Sequence, residues 1–297
     1  MKTTKLFFFF GLFVFVFFFS CTDKKKTNLE RKSIYPFLSG DTFRSFCRFQ
    51  YDEEHKEKSF SNMKEGDTIF VNGDLLDLFF EKIHPKIPQP YVLVTHNSDH
   101  PIPYKFYPYL NDPKLIAWFG QNIHLKHPKL HPIPIGIANA QYKHGDIRLL
   151  GKIRNENLPK KYFVYLNFLI ANFPKERGDV FHKFCHEKWC YVNKGLPFEK
   201  YLRELAQSKF ALSPRGNGLD CHKTWEALYL GVIPIVKTSE LDPLFKNLPV
   251  LIVKDWDEVN EDLLNKFLEK TKNTQYQKEK LFADFWINQI ESKGNKL

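Results

Sequence analysis

The chain has 297 residues, and 43% of them are hydrophobic, which is enough for two domains of ordinary size or for one large domain with a substantial core. Its formal net charge of +10 suits anionic partners such as nucleotides, phosphorylated sugars or an anionic membrane surface. The basic residues are dispersed, and the sequence has neither zinc-finger spacing nor an RNA-recognition signature, so nucleic acid is not an expected partner.

Residues 1–20 have the order of a secretory signal. Lys2 and Lys5 precede an apolar run that ends at Phe19, and small and charged residues follow. The run is shorter than the roughly 20 residues that a membrane-spanning helix needs, which favours a cleaved signal. The letters FFSC also resemble a bacterial lipoprotein signal, in which Cys21 would carry the lipid. Signal peptide, lipoprotein and short uncleaved signal anchor therefore stay open, and each predicts an exported or membrane-associated protein with membrane contact through its N-terminus.

Residues 21–60 are polar and poorly patterned, which predicts a tether and an irregular entry into the fold. From residue 61 to residue 150, short apolar runs alternate with a helical pattern. This pattern predicts a helix at 74–83 and strands at 67–72, 91–99, 114–122 and 131–139. Strands that alternate with helices indicate an α/β architecture with a parallel sheet.

A second α/β set occupies residues 151–297, after a charged stretch at 144–160 that lacks a long apolar run and predicts an interdomain connection. The predicted strands are 161–168, 210–213, 232–237 and 249–255. The predicted helices are 174–188, 197–208, 221–230, 261–272 and 275–290. The sequence therefore predicts a second domain of the same class, which ends in two helices.

The loop between Pro214 and Cys221 is polar and basic although both flanking segments are apolar. In open parallel sheets, ligands bind beyond the carboxyl ends of the strands, where such loops lead into helices. Gly216 and Gly218 let the backbone approach a ligand or adopt a positive φ. Asp220 is a suitable N-cap, and the free amides at a helix start attract phosphate.

The charged side chains of this segment point to the same ligand. Arg215 offers bidentate donors for phosphate oxygens, and Lys223 adds a point charge. Glu226 lies three residues after Lys223 on the same helix face, and a carboxylate suits a ribose diol. An alternative stays open, in which Lys223 and Glu226 only pair with each other and the glycines only make a turn. The loop is neither a Walker loop nor a G-x-G-x-x-G fingerprint.

The segment SPRGNGLDCHKTWEALYLGVIPIV resembles the donor-binding segment of exostosin-type glycosyltransferases. The family motif runs Pro-x-Gly, then Ser-x-Arg-x-x-Glu/Asp-Ala, then Gly-x-x-Pro followed by aliphatic residues. Cys221 stands at the serine and Lys223 at the arginine, so the charge is kept but the bidentate fork is lost. The other matching positions are Pro214, Gly216, Glu226, Ala227, Gly231 and Pro234. Weaker matches lie at Leu248 to Trp256 downstream and at Asn167, Phe168, Glu176 and Arg177 upstream.

The resemblance implies a GT-B-like fold, in which two Rossmann-like α/β domains face a cleft. It implies a nucleotide-diphosphate sugar on the C-terminal domain and an acceptor on the side of the N-terminal domain. The implied donor-binding residues are Arg177, Arg215, Gly216, Asn217, Gly218, Lys223 and Glu226. Such enzymes commonly lack a metal-binding Asp-x-Asp, and this sequence has no convincing one. Neither a metal nor another cofactor is therefore expected beside the nucleotide sugar.

Candidates for the acceptor side follow two predicted strands of the first set, where α/β proteins place chemistry. Asp99 or His96, in the stretch THNSDH, would serve as the general base that accepts a proton from the acceptor hydroxyl. Asn97 and Asn122 are further acceptor-side candidates. An Asx-type turn that caps the following helix is the alternative interpretation of THNSDH.

Together these features predict a hexosyl- or pentosyltransferase that moves a sugar from a nucleotide-diphosphate donor to a glycan, a lipid-linked acceptor or another hydroxyl acceptor. The alternative is a non-catalytic protein of the same fold that binds a glycan or a phosphorylated ligand at the cell surface. Export favours this alternative, because nucleotide sugars are scarce outside the cytoplasm and the secretory lumen.

Overall fold

A computed structural model describes residues 31–56 and 60–295, which form two parallel β-sheets of five strands each. The first sheet follows the chain order, so that each strand pairs with the next one. Its strands are β1 (Phe49–Tyr51), β2 (Thr68–Asn72), β3 (Tyr91–His96), β4 (Leu115–Gly120) and β5 (Leu130–Pro132). Its central strand β3 is buried along its whole length, as in a parallel sheet that is covered on both faces.

The helices around the first sheet are short, and a fourth helix leads to the second sheet. They are α1 (Gly40–Phe46), α2 (Leu76–Leu78), α3 (Tyr107–Leu110) and α4 (Ile147–Asn155). Asp146 caps α4 by accepting hydrogen bonds from the backbone N–H groups of Arg148 and Leu149.

The second sheet has the order β7-β6-β8-β9-β10, in which the chain starts in the middle and changes direction after β7. Its strands are β6 (Tyr162–Leu166), β7 (Cys190–Val192), β8 (Ser208–Leu212), β9 (Ile233–Lys237) and β10 (Leu251–Val253). Its helices are α5 (Pro174–Phe184), α6 (Phe198–Ala206), α7 (His222–Tyr229), α8 (Asp242–Phe245), α9 (Glu261–Lys272) and α10 (Ala283–Gly294). This order creates a switch point between β6 and β8, where a crevice opens beyond the strand ends.

Two buried apolar clusters hold the fold together. One cluster covers the first sheet and continues into α6, α7 and α10. The other fills the opposite face of the second sheet against α5 and α9. The last helix, α10, packs against β3 and β4 and so returns to the first sheet. The predicted α/β class with two parallel sheets is confirmed.

Several sequence predictions about individual elements were wrong. The stretch predicted as an irregular entry contains α1 and β1, because Ser39 caps α1 and Phe43 is buried. The strand predicted at 131–139 ends at Pro132, since Pro134 lacks an N–H and Gly136 has a φ of +67°. Two elements were not predicted at all, namely α4, within the stretch 144–160 that was expected to connect the domains, and β7.

The predicted signal segment at residues 1–20, with Cys21, lies outside the described residues. Among residues 31–56 and 60–295, no helix combines the length and the apolar character that crossing a bilayer requires.

Candidate active site

A cavity of about 670 Å³ opens at the switch point of the second sheet. Asn167 and Phe168 follow β6 on one side of it, Ser213 and Pro214 follow β8 on the other side, and the first turn of α7 closes it. We call this space the second-sheet cavity. The crevice beyond diverging strands is the expected ligand site of such a sheet, and the predicted loop Pro214 to Cys221 forms part of its wall.

The two glycines of the loop make room for side chains of the protein itself. A Cβ on Gly216 would lie 2.9 Å from Nη2 of Arg177, and a Cβ on Gly218 would lie 2.5 Å from Nδ2 of Asn122. Asn122 in turn accepts a hydrogen bond from the backbone N–H of Asp220 at 2.9 Å. The glycines therefore bring the loop into close contact with a side chain from each half of the molecule.

Asp220 joins the loop to the first sheet. One carboxylate oxygen accepts hydrogen bonds from the backbone N–H of Ile135 and from Nε1 of Trp225, both at 2.8 Å, and the other accepts from the N–H of Cys221. Burial raises the pKa of Asp220 to about 6. Asp220 was expected to be the N-cap of α7, but Cys221 occupies that position, and no side chain in the described part of the chain caps the helix.

Lys223 lies in the first turn of α7 and is partly buried. Its Nζ donates to the backbone oxygens of Asn167 and Leu212, at the ends of β6 and β8, and lies 5.3 Å from the ring centre of Phe168. Burial, together with the nearby guanidinium of Arg177, lowers the pKa of Lys223 to about 7. The ammonium therefore lies at the switch point without a carboxylate bonded to it among the described residues.

Glu226 lies one turn further along α7 and also lines the second-sheet cavity. Its carboxylate is buried and accepts a hydrogen bond of 2.6 Å from the hydroxyl of Tyr201 on α6. Burial raises the pKa of Glu226 to about 7. In the described part of the chain, Glu226 is not ion-paired to Lys223, which speaks against the alternative that the two residues only neutralise each other.

The two arginines of the predicted donor site bond to the backbone of the loop, and Arg177 also lines the second-sheet cavity. Arg177 is buried, and it donates from Nε to the backbone oxygen of Arg215 at 2.8 Å and from Nη1 to that of Leu169 at 2.9 Å. Arg215 packs over the ring of Phe173 at 4.4 Å and is not among the residues that line the second-sheet cavity. In this structure the guanidinium of Arg177 is therefore bonded to backbone oxygens, and that of Arg215 packs on an aromatic ring.

A second cavity, of about 440 Å³, lies at the carboxyl ends of the first sheet, and we call it the first-sheet cavity. Asp99, Ile135, Tyr142 and His222 line both cavities, so that the two spaces adjoin. Asp99 is exposed, and its carboxylate accepts a hydrogen bond of 3.1 Å from Nδ2 of Asn217 on the loop of the second-sheet cavity. A ligand in either cavity could therefore contact Asp99.

The other predicted acceptor-side residues are engaged with the protein. His96 is buried, which lowers its pKa to about 4, and both of its ring nitrogens are hydrogen-bonded, to the N–H of Asn97 and to the backbone oxygen of Pro134. Asn97 donates to Asp41, and Asn122 bonds both to Ser98 and to Asp220. No ring nitrogen of His96 remains for a substrate proton.

Sequence reasoning did not single out Tyr201, Tyr142 or His222, which all line the second-sheet cavity. Tyr201 lies in an amphipathic helix, where the sequence pattern predicts that an aromatic residue packs in the hydrophobic core. Tyr142 is 60% exposed at the cleft, and an exposed aromatic residue is visible only in a structure. His222 bonds through Nδ1 to the backbone oxygen of Gly136 at 2.8 Å and thus links α7 to the loop after β5.

One cluster of side chains in the described residues has the spacing of metal ligands, namely Asp52, Glu54 and His55. Arg44 occupies its centre, since Nε donates to Asp52 at 2.6 Å and Nη2 donates to Glu54 at 3.0 Å. None of the three ligand residues lines either cavity.

Residues 177–293 match the family model of the RXYLT1 C-terminal domain. The match contains the loop, α7 and the C-terminal helices, and it confirms the predicted exostosin-type resemblance of this segment. It covers less than half of the chain. No curated protein matches the sequence.

Several solved structures are similar to between 73% and 79% of the chain, at low identity. The UDP-GlcNAc 2-epimerase from Methanocaldococcus jannaschii is 12% identical with a TM-score of 0.35, over 73% of this chain and 72% of that one. The catalytic domain of starch synthase IV from Arabidopsis thaliana, bound to ADP and acarbose, is 13% identical with a TM-score of 0.32, over 79% and 70%. The pneumococcal O-GlcNAc transferase GtfA, in complex with UDP and GlcNAc, is 14% identical with a TM-score of 0.32, over 78% of this chain and 55% of that one.

Proposed function

We propose that the protein transfers a sugar from a donor in one cavity to an acceptor in the other, and the match of residues 177–293 to the family model of the RXYLT1 C-terminal domain supports this proposal. The donor is a nucleoside-diphosphate hexose or pentose bound in the second-sheet cavity, and the acceptor is a hydroxyl compound bound in the first-sheet cavity. The observation that carries the proposal is the pair Lys223 and Glu226 at the uncapped start of α7, at the switch point of the sheet.

Each group of this pair suits one part of the donor. The free N–H groups at the start of α7 and the ammonium of Lys223 bind the diphosphate, because both are positive and face a crevice. Among residues 31–56 and 60–295, Tyr201 alone donates a hydrogen bond to Glu226, so the carboxylate has acceptor capacity left for the ribose hydroxyls. Arg177 and the glycines keep the loop in the shape that leaves this crevice open.

Transfer forms a bond between the acceptor oxygen and C1 of the sugar and breaks the bond between C1 and the diphosphate oxygen. Asp99 takes the proton of the acceptor hydroxyl, since its carboxylate lines both cavities. The negative charge that develops on the leaving nucleoside diphosphate is stabilised by Lys223 and the α7 amides. No metal and no other cofactor enters this scheme. We also propose that the predicted N-terminal signal directs the protein to the membrane or exports it.

Nucleotide binding and turnover test the proposal separately. UDP, ADP and GDP should each be added to the purified protein, because a ligand that binds only the folded state raises the melting temperature. Lys223→Ala and Glu226→Ala should abolish the shift, whereas Lys183→Ala should keep it, because Lys183 pairs with Asp257 outside the cavity. Release of free nucleoside diphosphate from nucleotide sugars then measures transfer or hydrolysis.

The outcomes separate the two functions. A nucleotide shift that needs Lys223 and Glu226, together with turnover that Asp99→Asn abolishes, supports the transferase. A nucleotide shift without turnover of any nucleotide sugar supports the non-catalytic binding protein. If no nucleotide raises the melting temperature, the assignment of the donor site is wrong.

A further inference from the structure

A buried carboxylate on α6 takes no part in the proposed transfer. Glu204 is only 6% exposed, and it accepts hydrogen bonds from the hydroxyls of Tyr165 at 3.0 Å and of Tyr191 at 3.3 Å. Nδ2 of Asn193 lies 3.1 Å from each of its two oxygens. Among residues 31–56 and 60–295 no cation is bonded to Glu204, so this carboxylate is held by uncharged donors.

A chain of hydrogen bonds runs from Glu204 to Lys223. The hydroxyl of Tyr165 donates to Glu204 and accepts a hydrogen bond of 2.8 Å from Nδ2 of Asn167. Asn167 directly follows β6, and its backbone oxygen accepts a hydrogen bond from Nζ of Lys223. Burial, together with the carboxylate of Glu204, raises the pKa of Tyr165, so the hydroxyl keeps the proton that it donates. The chain therefore connects a residue outside the second-sheet cavity with the ammonium inside it.

The carboxylate fixes the direction of this chain. Because Glu204 can only accept hydrogen bonds, the hydroxyl hydrogen of Tyr165 points towards it, and a lone pair of the same oxygen is left for Asn167. A glutamine at this position would have one oxygen for three donor groups, and its own NH2 group would face one of them. The negative group at position 204 thus determines how the side chain of Asn167 is held.

Helix α6 contacts both residues on which the proposed donor site depends. Tyr201 lies one turn before Glu204 on this helix, and residues three positions apart share a helix face. The hydroxyl of Tyr201 donates to Glu226 at 2.6 Å. One face of α6 is therefore bonded to Glu226 directly and to Lys223 through two intermediate residues.

From these contacts we propose that Glu204 is a positioning residue for Lys223, which it holds at the switch point through Tyr165 and Asn167. The inference rests on the proposed function and extends it to a residue that contacts no substrate. The other acceptor of Lys223, the backbone oxygen of Leu212, lies at 3.4 Å, so Asn167 is the closer of its two anchors. An ammonium that is already held in place loses less conformational entropy when a diphosphate binds.

The experiment compares a nucleoside diphosphate with its nucleoside, because only the diphosphate carries the phosphates that Lys223 binds. The diphosphate is the one of UDP, ADP and GDP that raises the melting temperature most, and both Kd values are measured by ligand-observed NMR on the full chain. Glu204→Gln should weaken binding of the diphosphate about tenfold and change binding of the nucleoside by less than about twofold. Tyr165→Phe removes the next link of the chain and should have the same two effects. All measurements are made well below the melting temperature of each variant, where a loss of stability alone leaves Kd unchanged.

Two further variants show whether Glu204 acts through Lys223. Glu199→Gln is the matched control, because Glu199 is exposed on the same helix and bonded to Arg203, and it should leave both Kd values unchanged. In a Lys223→Ala background, Glu204→Gln should have no further effect on the Kd of the diphosphate, since residues that act through one contact are not additive.

The outcomes distinguish failure of this inference from failure of the donor site. A loss of affinity that is confined to the diphosphate and disappears in the Lys223→Ala background supports the inference. Equal weakening of diphosphate and nucleoside, unchanged binding in both Glu204→Gln and Tyr165→Phe, or additive effects of Glu204→Gln and Lys223→Ala overturns it, while the donor site itself stands. If no nucleoside diphosphate binds, or if Lys223→Ala leaves its binding unchanged, the proposed donor site is wrong and the inference falls with it.

Discussion

Nucleotide binding should weaken steeply above neutral pH, because Lys223 must be protonated to bind a diphosphate. In the free protein burial lowers the pKa of Lys223 to about 7, so the side chain is charged below this pH and loses its proton as the pH rises. A bound diphosphate restores the charge and raises the pKa again. With a free-state pKa of about 7, the affinity for UDP should fall on the order of 20-fold between pH 7.5 and pH 9. The diphosphate of UDP keeps a constant charge across this range, since a terminal phosphate titrates near pH 6.

Isothermal titration calorimetry at constant ionic strength measures this effect directly. In buffers of different ionisation enthalpy at pH 8, binding of one UDP should take up nearly one proton. Lys223→Arg should bind UDP with an affinity that is nearly independent of pH, because a guanidinium stays charged throughout the range. Glu226→Gln is the second control and should keep the decline, since Glu226 also titrates near pH 7 but does not supply the cation. A flat pH profile for the unchanged protein, or an equal decline in Lys223→Arg, would refute the assigned role of Lys223.

Two further substitutions test how the site is built. Gly218→Ala should lower the melting temperature and weaken UDP binding, because the new Cβ would lie 2.5 Å from Nδ2 of the buried Asn122. The control is Gly178→Ala in α5, where no atom lies within 4 Å of the new Cβ. This control should leave the stability unchanged or raise it by up to about 1 kcal/mol. Tyr201→Phe should lower the free energy of unfolding in urea by about 1–3 kcal/mol at pH 8, because the buried carboxylate of Glu226 loses its 2.6 Å hydrogen bond. An equal free energy of unfolding for the variant and the unchanged protein would contradict this contact.

The longer strands could be predicted because they are buried on both faces and therefore form continuous apolar runs. The strands β3, β4 and β9 are buried in this way, so each one can be recognised from its own apolar sequence without knowledge of the strands beside it. β1 and β7 have only three residues each, and every residue of β7 is partly exposed. Such short segments become strands only because they pair with a longer neighbour: β1 pairs with β2, and β7 pairs with β6. The sequence of β1 or β7 alone does not contain this information.

The position of the site could be predicted from the chain, but its hydrogen-bond partners could not. Lys223 and Glu226 were expected on one face of a helix start, and the structure brings both to the second-sheet cavity. The hydroxyl that holds Glu226 comes from Tyr201, on another helix and 25 residues away. Likewise, the charge of Arg177 and Arg215 is visible in the sequence, whereas their orientation towards loop backbone and an aromatic ring depends on packing.

The contacts between the two halves connect the donor loop to the proposed base. Asp220 bonds to the N–H of Ile135, and Asn122 bonds to the N–H of Asp220, so the buried end of the loop is attached to the first sheet. At its exposed end, Asn217 donates to the carboxylate of Asp99. Because the same loop borders the second-sheet cavity, a donor that shifts it must also shift or release Asp99. The buried contacts are the stronger constraint, since breaking them leaves unpaired polar groups, whereas the exposed amide can exchange Asp99 for water. Donor binding is therefore expected to change the position of the base while the junction beneath it stays fixed.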